Sequence, residues 1–237
     1  MRKCVSKGGN HMRMEEERAL IAEYGRKMSA AGLSHGTAGN ISIYDKKTGL
    51  MAITPSGVNY FDITAEDIVI LDLDGNVIEG SRKPSSESGL HLGFYRANKD
   101  GSCGAVVHTH SNYATTLACM GEPIRAVHYV IAGSGSHEIP LCEYVTFGTP
   151  ELAEKAVAAC NGGKAVLLAN HGLVATGVDL SKAFSLACNL EDVARLQWQC
   201  MCAGRMNILT EEQIHKVMER FKTYGQTRAP EGSLNAY

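Results

Sequence analysis

Between Met14 and Ala31 the apolar residues Leu20, Ile21, Tyr24 and Met28 recur at the spacing of a helix with one buried face, and Gly32 supplies a stop. The period then drops to two. "NISIYD" and "MAIT" read as strands about a turn at Lys46 to Gly49, and "DIVILDLDGNVIEG" carries Asp-Gly and Gly-Asn turn chemistry between two alternating runs, a hairpin. Helical spacing returns from Ser86 to Asn98. "GAVVHTH" is a short buried strand, and Asn112 to Met120 is helical again. "TPELAEKAVAAC" opens a helix with Thr149 as N-cap, Pro150 at its first position, and Glu151 and Glu154 near its start. "KAVLLANHG" and "GLVAT" are strands; Ser181 to Gly204 and Thr210 to Thr223 are helices, each with Ser or Thr at its start. Strands and helices interleave, yet hairpins occur too. The pattern therefore predicts an α/β fold with a mixed or antiparallel sheet, not a uniform βαβ winding.

Residues 1–13, "MRKCVSKGGNHMR", have no periodicity and read as an extension. No linker or composition shift divides residues 14–223, which are expected to form one domain. The polar, Pro- and Gly-bearing tail 224–237 is expected to be mobile.

With 237 residues, 44% of them hydrophobic, the chain can bury a sizeable core. A formal charge of −2 with mixed signs gives no electrostatic case for a nucleic-acid or membrane partner. No apolar run approaches the roughly 20 residues of a membrane span. The N-terminus lacks a leader's apolar region, so a cytoplasmic location is expected. The 8 cysteines include no Cys-x-x-Cys and fall mostly in apolar patterns, which marks them as free thiols rather than a disulfide framework.

The chemistry begins at His108 and His110. On a strand, residues i and i+2 share a face roughly 6.5–7 Å apart, so both imidazoles can converge on one ion at about 2.0–2.1 Å. His171, after the apolar run 165–169, offers a third nitrogen if the two strands are neighbours. Three histidines leave a position open, the arrangement of a catalytic zinc. The residues alone leave that third ligand undecided among His171, His35, His91, His128, His137 and His215.

Three small polar segments could cradle a phosphate through hydroxyls and backbone N–H groups: Thr37 and Asn40, Ser56 and Gly57, and Ser85 and Ser86 before a helix. None matches a Walker or dinucleotide pattern. Glu87, placed in the first turn of that helix, is either a capping glutamate or a general base beside the metal. His91 falls four residues on, as a packing residue or a partner behind the site.

Taken together, "GTAGNIS", "TPSG", "SSE", "HTH", "HYVIAGSG", "YVTFGTPEL", "NHGL" and "FKTYG" resemble, in that order, the class II aldolase and ribulose-phosphate 4-epimerase family. The resemblance implies a three-layer α/β/α sandwich around a largely antiparallel sheet. It also implies a fourfold homotetramer with active sites between subunits and one zinc per subunit. By that pattern His108, His110 and His171 are the zinc ligands. Thr37, Asn40, Ser56, Gly57, Ser85 and Ser86 bind the substrate phosphate. Glu87 occupies zinc's open position at rest and acts as acid/base on the donor carbon. Tyr129 reaches across a subunit interface to the aldehyde oxygen, and Tyr224 closes over a neighbour's site.

The implied reaction is retro-aldol cleavage of L-fuculose 1-phosphate to dihydroxyacetone phosphate and L-lactaldehyde. The alternatives are L-ribulose-5-phosphate 4-epimerisation and cleavage of another deoxyketose 1-phosphate. The epimerases are expected to carry Asp at position 87 and in the "HYVIAGSG" region, so this sequence favours an aldolase. A dehydratase of methylthio-ribulose phosphate and a metal-free adducin-type binding domain share the fold. The first is expected to lack the "HYVIA" and tail motifs, the second the histidines.

Overall fold

A computed structural model of the chain describes residues 12–98 and 101–223. Helix α1, Glu15–Ala30, precedes an antiparallel meander of β1 (Asn40–Asp45), β2 (Leu50–Ile53), β3 (Val69–Asp72) and β4 (Val77–Glu79). Helix α2 (Ser88–Ala97) leads to β5 (Ala105–Thr109), then α3 (Asn112–Met120). A small ribbon follows, β6 (Ile124–Arg125) with β7 (Glu138–Ile139), interrupted by a 3-10 turn at Tyr129–Ser134. Then come β8 (Leu141–Cys142), α4 (Pro150–Cys160), β9 (Ala165–Leu168), β10 (Gly172–Gly177), α5 (Leu180–Cys202) and α6 (Glu211–Phe221).

The main sheet has 8 strands in the order β4-β3-β2-β1-β5-β10-β9-β8. Among the described residues only the β8–β9 pair is parallel, so the mixed, largely antiparallel sheet expected above is present. Alternate residues of each strand enter different cores. Ile41, Val107, Leu173 and Leu167 pack under α1, α3 and α5; Met51, Val106, Val174 and Val166 pack under α2 and α4. Covering both faces makes a three-layer sandwich, and it explains why β5, β9 and β10 read as continuous apolar runs.

Several sequence expectations shift. Helix α2 starts at Ser88, so Glu87 is its N-cap residue and not part of its first turn; the side chain makes no capping bond. Asp179, not Ser181, caps α5, its carboxylate accepting from the Lys182 N–H at 2.8 Å. The strand ahead of His171 is not the neighbour of β5, because β10 lies between them. The short strands β6 to β8 escape the sequence pattern because two residues carry no period. Among the described residues the seven cysteines are free, and no helix is long and apolar enough to cross a membrane.

Candidate metal centre and phosphate cradle

His108 lies within β5, hydrogen-bonded on both sides to β1 and β10. His110 stands just past the strand, its N–H donating to the Leu33 carbonyl at 3.1 Å. His171 sits in the turn between β9 and β10, next to Asn170, whose φ of 54° is a conformation that asparagine tolerates better than most residues. β10 therefore delivers His171 to the end of β5 even though the strand ahead of it does not touch β5.

The three Nε2 atoms face one another. His108 Nε2 is 2.9 Å from that of His110 and 3.2 Å from that of His171. The rings are steeply inclined, at 72°, 80° and 89°. The His108 Nδ1–H donates to the Leu173 carbonyl at 3.0 Å, which leaves Nε2 bare toward the cluster. Burial, reinforced by the neighbouring His108 and His171, holds the His110 pKa down at about 3, so its imidazole stays neutral.

Glu87 closes the cluster from the helix side. Its Oε1 lies 3.2 Å from His171 Nε2 and its Oε2 3.4 Å from His108 Nε2. Burial pushes its carboxyl toward the neutral form, but the His108 and His171 rings set against its two oxygens outweigh this and hold it ionised, below the usual range. Oε2 accepts from Asn40 Nδ2 at 2.9 Å, whereas the buried Oε1 has no hydrogen-bond partner. The four ligand atoms lie within 4.8 Å of one another. Facing lone pairs and an orphaned carboxylate oxygen fit a divalent cation, whose charge satisfies all four at once.

The centre opens into a cavity of about 410 Å³. Its walls bring together every described phosphate candidate, namely Thr37, Asn40, Ser56, Gly57, Ser85 and Ser86, with Glu87, His110 and His171. Two backbone bonds lock the loops: Ser56 N–H to the Lys83 carbonyl at 2.9 Å and Ser85 N–H to the Thr54 carbonyl at 3.0 Å. The Tyr60 hydroxyl donates to the Gly39 carbonyl at 2.6 Å and holds the third. Among the described residues no lysine or arginine lines the cavity, so within them an anion relies on hydroxyls, backbone N–H groups and the N-terminus of α2. Asn40 borders this space, but both ends of its amide are engaged, with Glu87 and with His91. Burial keeps His91 neutral, with its pKa near 3.

Tyr129 stands on the 3-10 turn, 50% exposed, with its ring 6.3 Å from that of Phe221; it is not among the residues lining this chain's own cavity. Tyr224 lies outside the described residues. Tyr144, Phe147 and Asn170 also border the cavity. Sequence reasoning gave them no role, although Tyr144 and Phe147 fall within the quoted "YVTFGTPEL".

Fold and site together define a metal-dependent class II sugar-phosphate aldolase, and the comparisons agree. Residues 19–198 match the model of the class II aldolase and adducin N-terminal domain family, to which the chain belongs. It is 45% identical over 215 residues to the 5-deoxy-D-ribulose 1-phosphate aldolase of Bacillus thuringiensis serovar kurstaki, covering 91% of this chain and 100% of that protein. It is 40% identical over 200 residues to the L-fuculose phosphate aldolase of Escherichia coli, covering 84% and 91%. A solved L-fuculose 1-phosphate aldolase superposes with a TM-score of 0.86 at 41% identity, covering 90% of this chain and 100% of that one.

Proposed function

We propose that the protein cleaves a deoxyketose 1-phosphate to dihydroxyacetone phosphate and a short aldehyde. The observation that carries this reading is the opening of a three-histidine, one-carboxylate cluster directly into a cavity walled by small hydroxyl residues. The first candidate substrate is 5-deoxy-D-ribulose 1-phosphate, supported by 45% identity across the whole of the Bacillus protein. L-Fuculose 1-phosphate is the second, supported by the 0.86 TM-score to an aldolase of that name.

Thr37, Ser56, Gly57, Ser85 and Ser86, with Asn40 at their edge, bind the phosphate and set the ketose against the histidines. His108, His110 and His171 would hold zinc, whose positive charge would stabilise the ketose oxygens as negative charge develops on them. Tyr129 of an adjoining subunit in a fourfold tetramer helps carry away the proton of the C4 hydroxyl. The C3–C4 electron pair moves to C3 as C4 becomes the aldehyde carbonyl. Glu87, having taken up a proton from solvent as the ketose enters the site, delivers it to C3, and dihydroxyacetone phosphate leaves. Tyr224 closes over the neighbouring site during this sequence.

The zinc-loaded protein is offered both ketose phosphates, and dihydroxyacetone phosphate is followed through a coupled reductase. A larger kcat/KM for 5-deoxy-D-ribulose 1-phosphate supports the first substrate, and a larger one for L-fuculose 1-phosphate the second. Release from neither, by protein proven to hold zinc, rejects the proposal.

A further inference from the structure

A polar seam runs between β1 and α2 behind the metal centre. On β1, Asn40 and Ser42 are two apart and face the same way; on α2, His91 and Tyr95 continue at four-residue steps the line begun by Glu87. None of these five is more than 6% exposed. Glu87 Oε2 contacts Asn40 Nδ2 at 2.9 Å, and Asn40 Oδ1 meets His91 Nε2. His91 Nδ1 is 2.6 Å from the Ser42 hydroxyl, which is 2.6 Å from the Tyr95 hydroxyl.

Only one assignment of protons satisfies the seam. Asn40 Nδ2 faces Glu87 Oε2 while its Oδ1, which can only accept, faces His91 Nε2, so the amide donates to the carboxylate and accepts from the ring. His91 Nε2 then carries the hydrogen, and in the neutral ring Nδ1 accepts from Ser42. With its own hydrogen spent, Ser42 accepts from Tyr95. Every donor points toward Glu87. A histidine present only for packing requires no such order.

We propose that His91 is a positioning residue for Glu87. By fixing the Asn40 amide, it ties down Oε2 and leaves Oε1 free to face the metal or the donor carbon. Ser42 and Tyr95 hold His91 in the required tautomer.

This inference rests on the aldolase reading, and its test separates the two. Solvent deuterium exchange into the hydroxymethyl carbon of dihydroxyacetone phosphate is followed by NMR for zinc-loaded wild type, His91→Leu and His91→Gln. Calorimetry measures zinc affinity on the metal-free forms. His91→Leu is expected to slow exchange about 10–100-fold and to weaken zinc about tenfold, with KM for dihydroxyacetone phosphate little changed. His91→Gln, which can still donate N–H to Asn40, is expected to recover most of both. Wild-type exchange and zinc affinity in His91→Leu overturn the proposal, as does a His91→Gln as impaired as the leucine variant. If neither His91 variant folds, Ser42→Ala removes only a hydroxyl and should slow exchange several-fold; an unchanged rate likewise overturns the proposal. Absence of exchange in the wild type rejects the aldolase reading instead, while the zinc affinities still decide the role of His91.

Discussion

Gly39→Ala isolates how closely the cradle loop is pressed against the metal-bearing strand. Gly39 has φ +72°, and a Cβ built there lies 2.7 Å from the His108 carbonyl oxygen, a backbone atom of β5 that no rotamer can move aside. Gly36, in the same loop, has φ +63° but nothing within 4 Å of its added Cβ. Both alanines carry the left-handed strain of about 1–2 kcal/mol. Only Gly39→Ala adds overpacking, about 1–3 kcal/mol, as loop and strand part by a few tenths of an ångström. Urea unfolding should therefore show Gly39→Ala less stable by about 2–5 kcal/mol and Gly36→Ala by about 1–2 kcal/mol. Because Thr37 rides on the same loop and Asn40 follows it directly at the start of β1, kcat/KM should fall further in Gly39→Ala. Equal stability loss in the two variants refutes the close-approach argument.

Other perturbations probe separate parts. Glu87→Gln should keep inorganic phosphate binding in calorimetry and still hold zinc through the three histidines, about tenfold more weakly, while slowing donor-carbon exchange by about 10²–10⁴-fold; near-normal exchange removes its proton-transfer role. Tyr129→Phe should impair carbon–carbon cleavage more than donor exchange, and equal loss of both steps points to assembly instead. The Glu191 carboxylate accepts from the Tyr113 and Ala114 N–H groups, both at 2.9 Å, at the start of α3. Glu191→Gln should therefore cost about 1–2 kcal/mol in denaturant unfolding, and an unchanged midpoint contradicts this. Removing zinc should abolish turnover and, relative to protein at a hundredfold excess of zinc over its dissociation constant, lower unfolding stability by about 2.7 kcal/mol. An unaltered melting curve after chelation argues against a metal held by the folded state alone.

The sequence by itself determined what is periodic and local. The step of two that aligns His108 with His110, the Thr149 and Thr210 caps, the β3–β4 hairpin and the apolar runs of a sheet covered on both faces were all legible in it. The cradle loops could be picked out by composition, but their meeting around one cavity could not. Three features belong to the tertiary structure alone. The strand order sets β10 beside β5 and so brings in His171, although 63 residues separate it from His108. Helix α2 begins one residue after Glu87, freeing its carboxylate to face the histidines instead of capping. The buried line from Glu87 to Tyr95 is spelled as Asn-x-Ser on β1 and at four-residue steps along α2, yet neither spacing signals anything until the strand and helix pack together. The physical reason is common to all three. Local propensity and period choose each element, but which distant elements touch is decided by burying both faces of one sheet and satisfying the polar groups trapped between them.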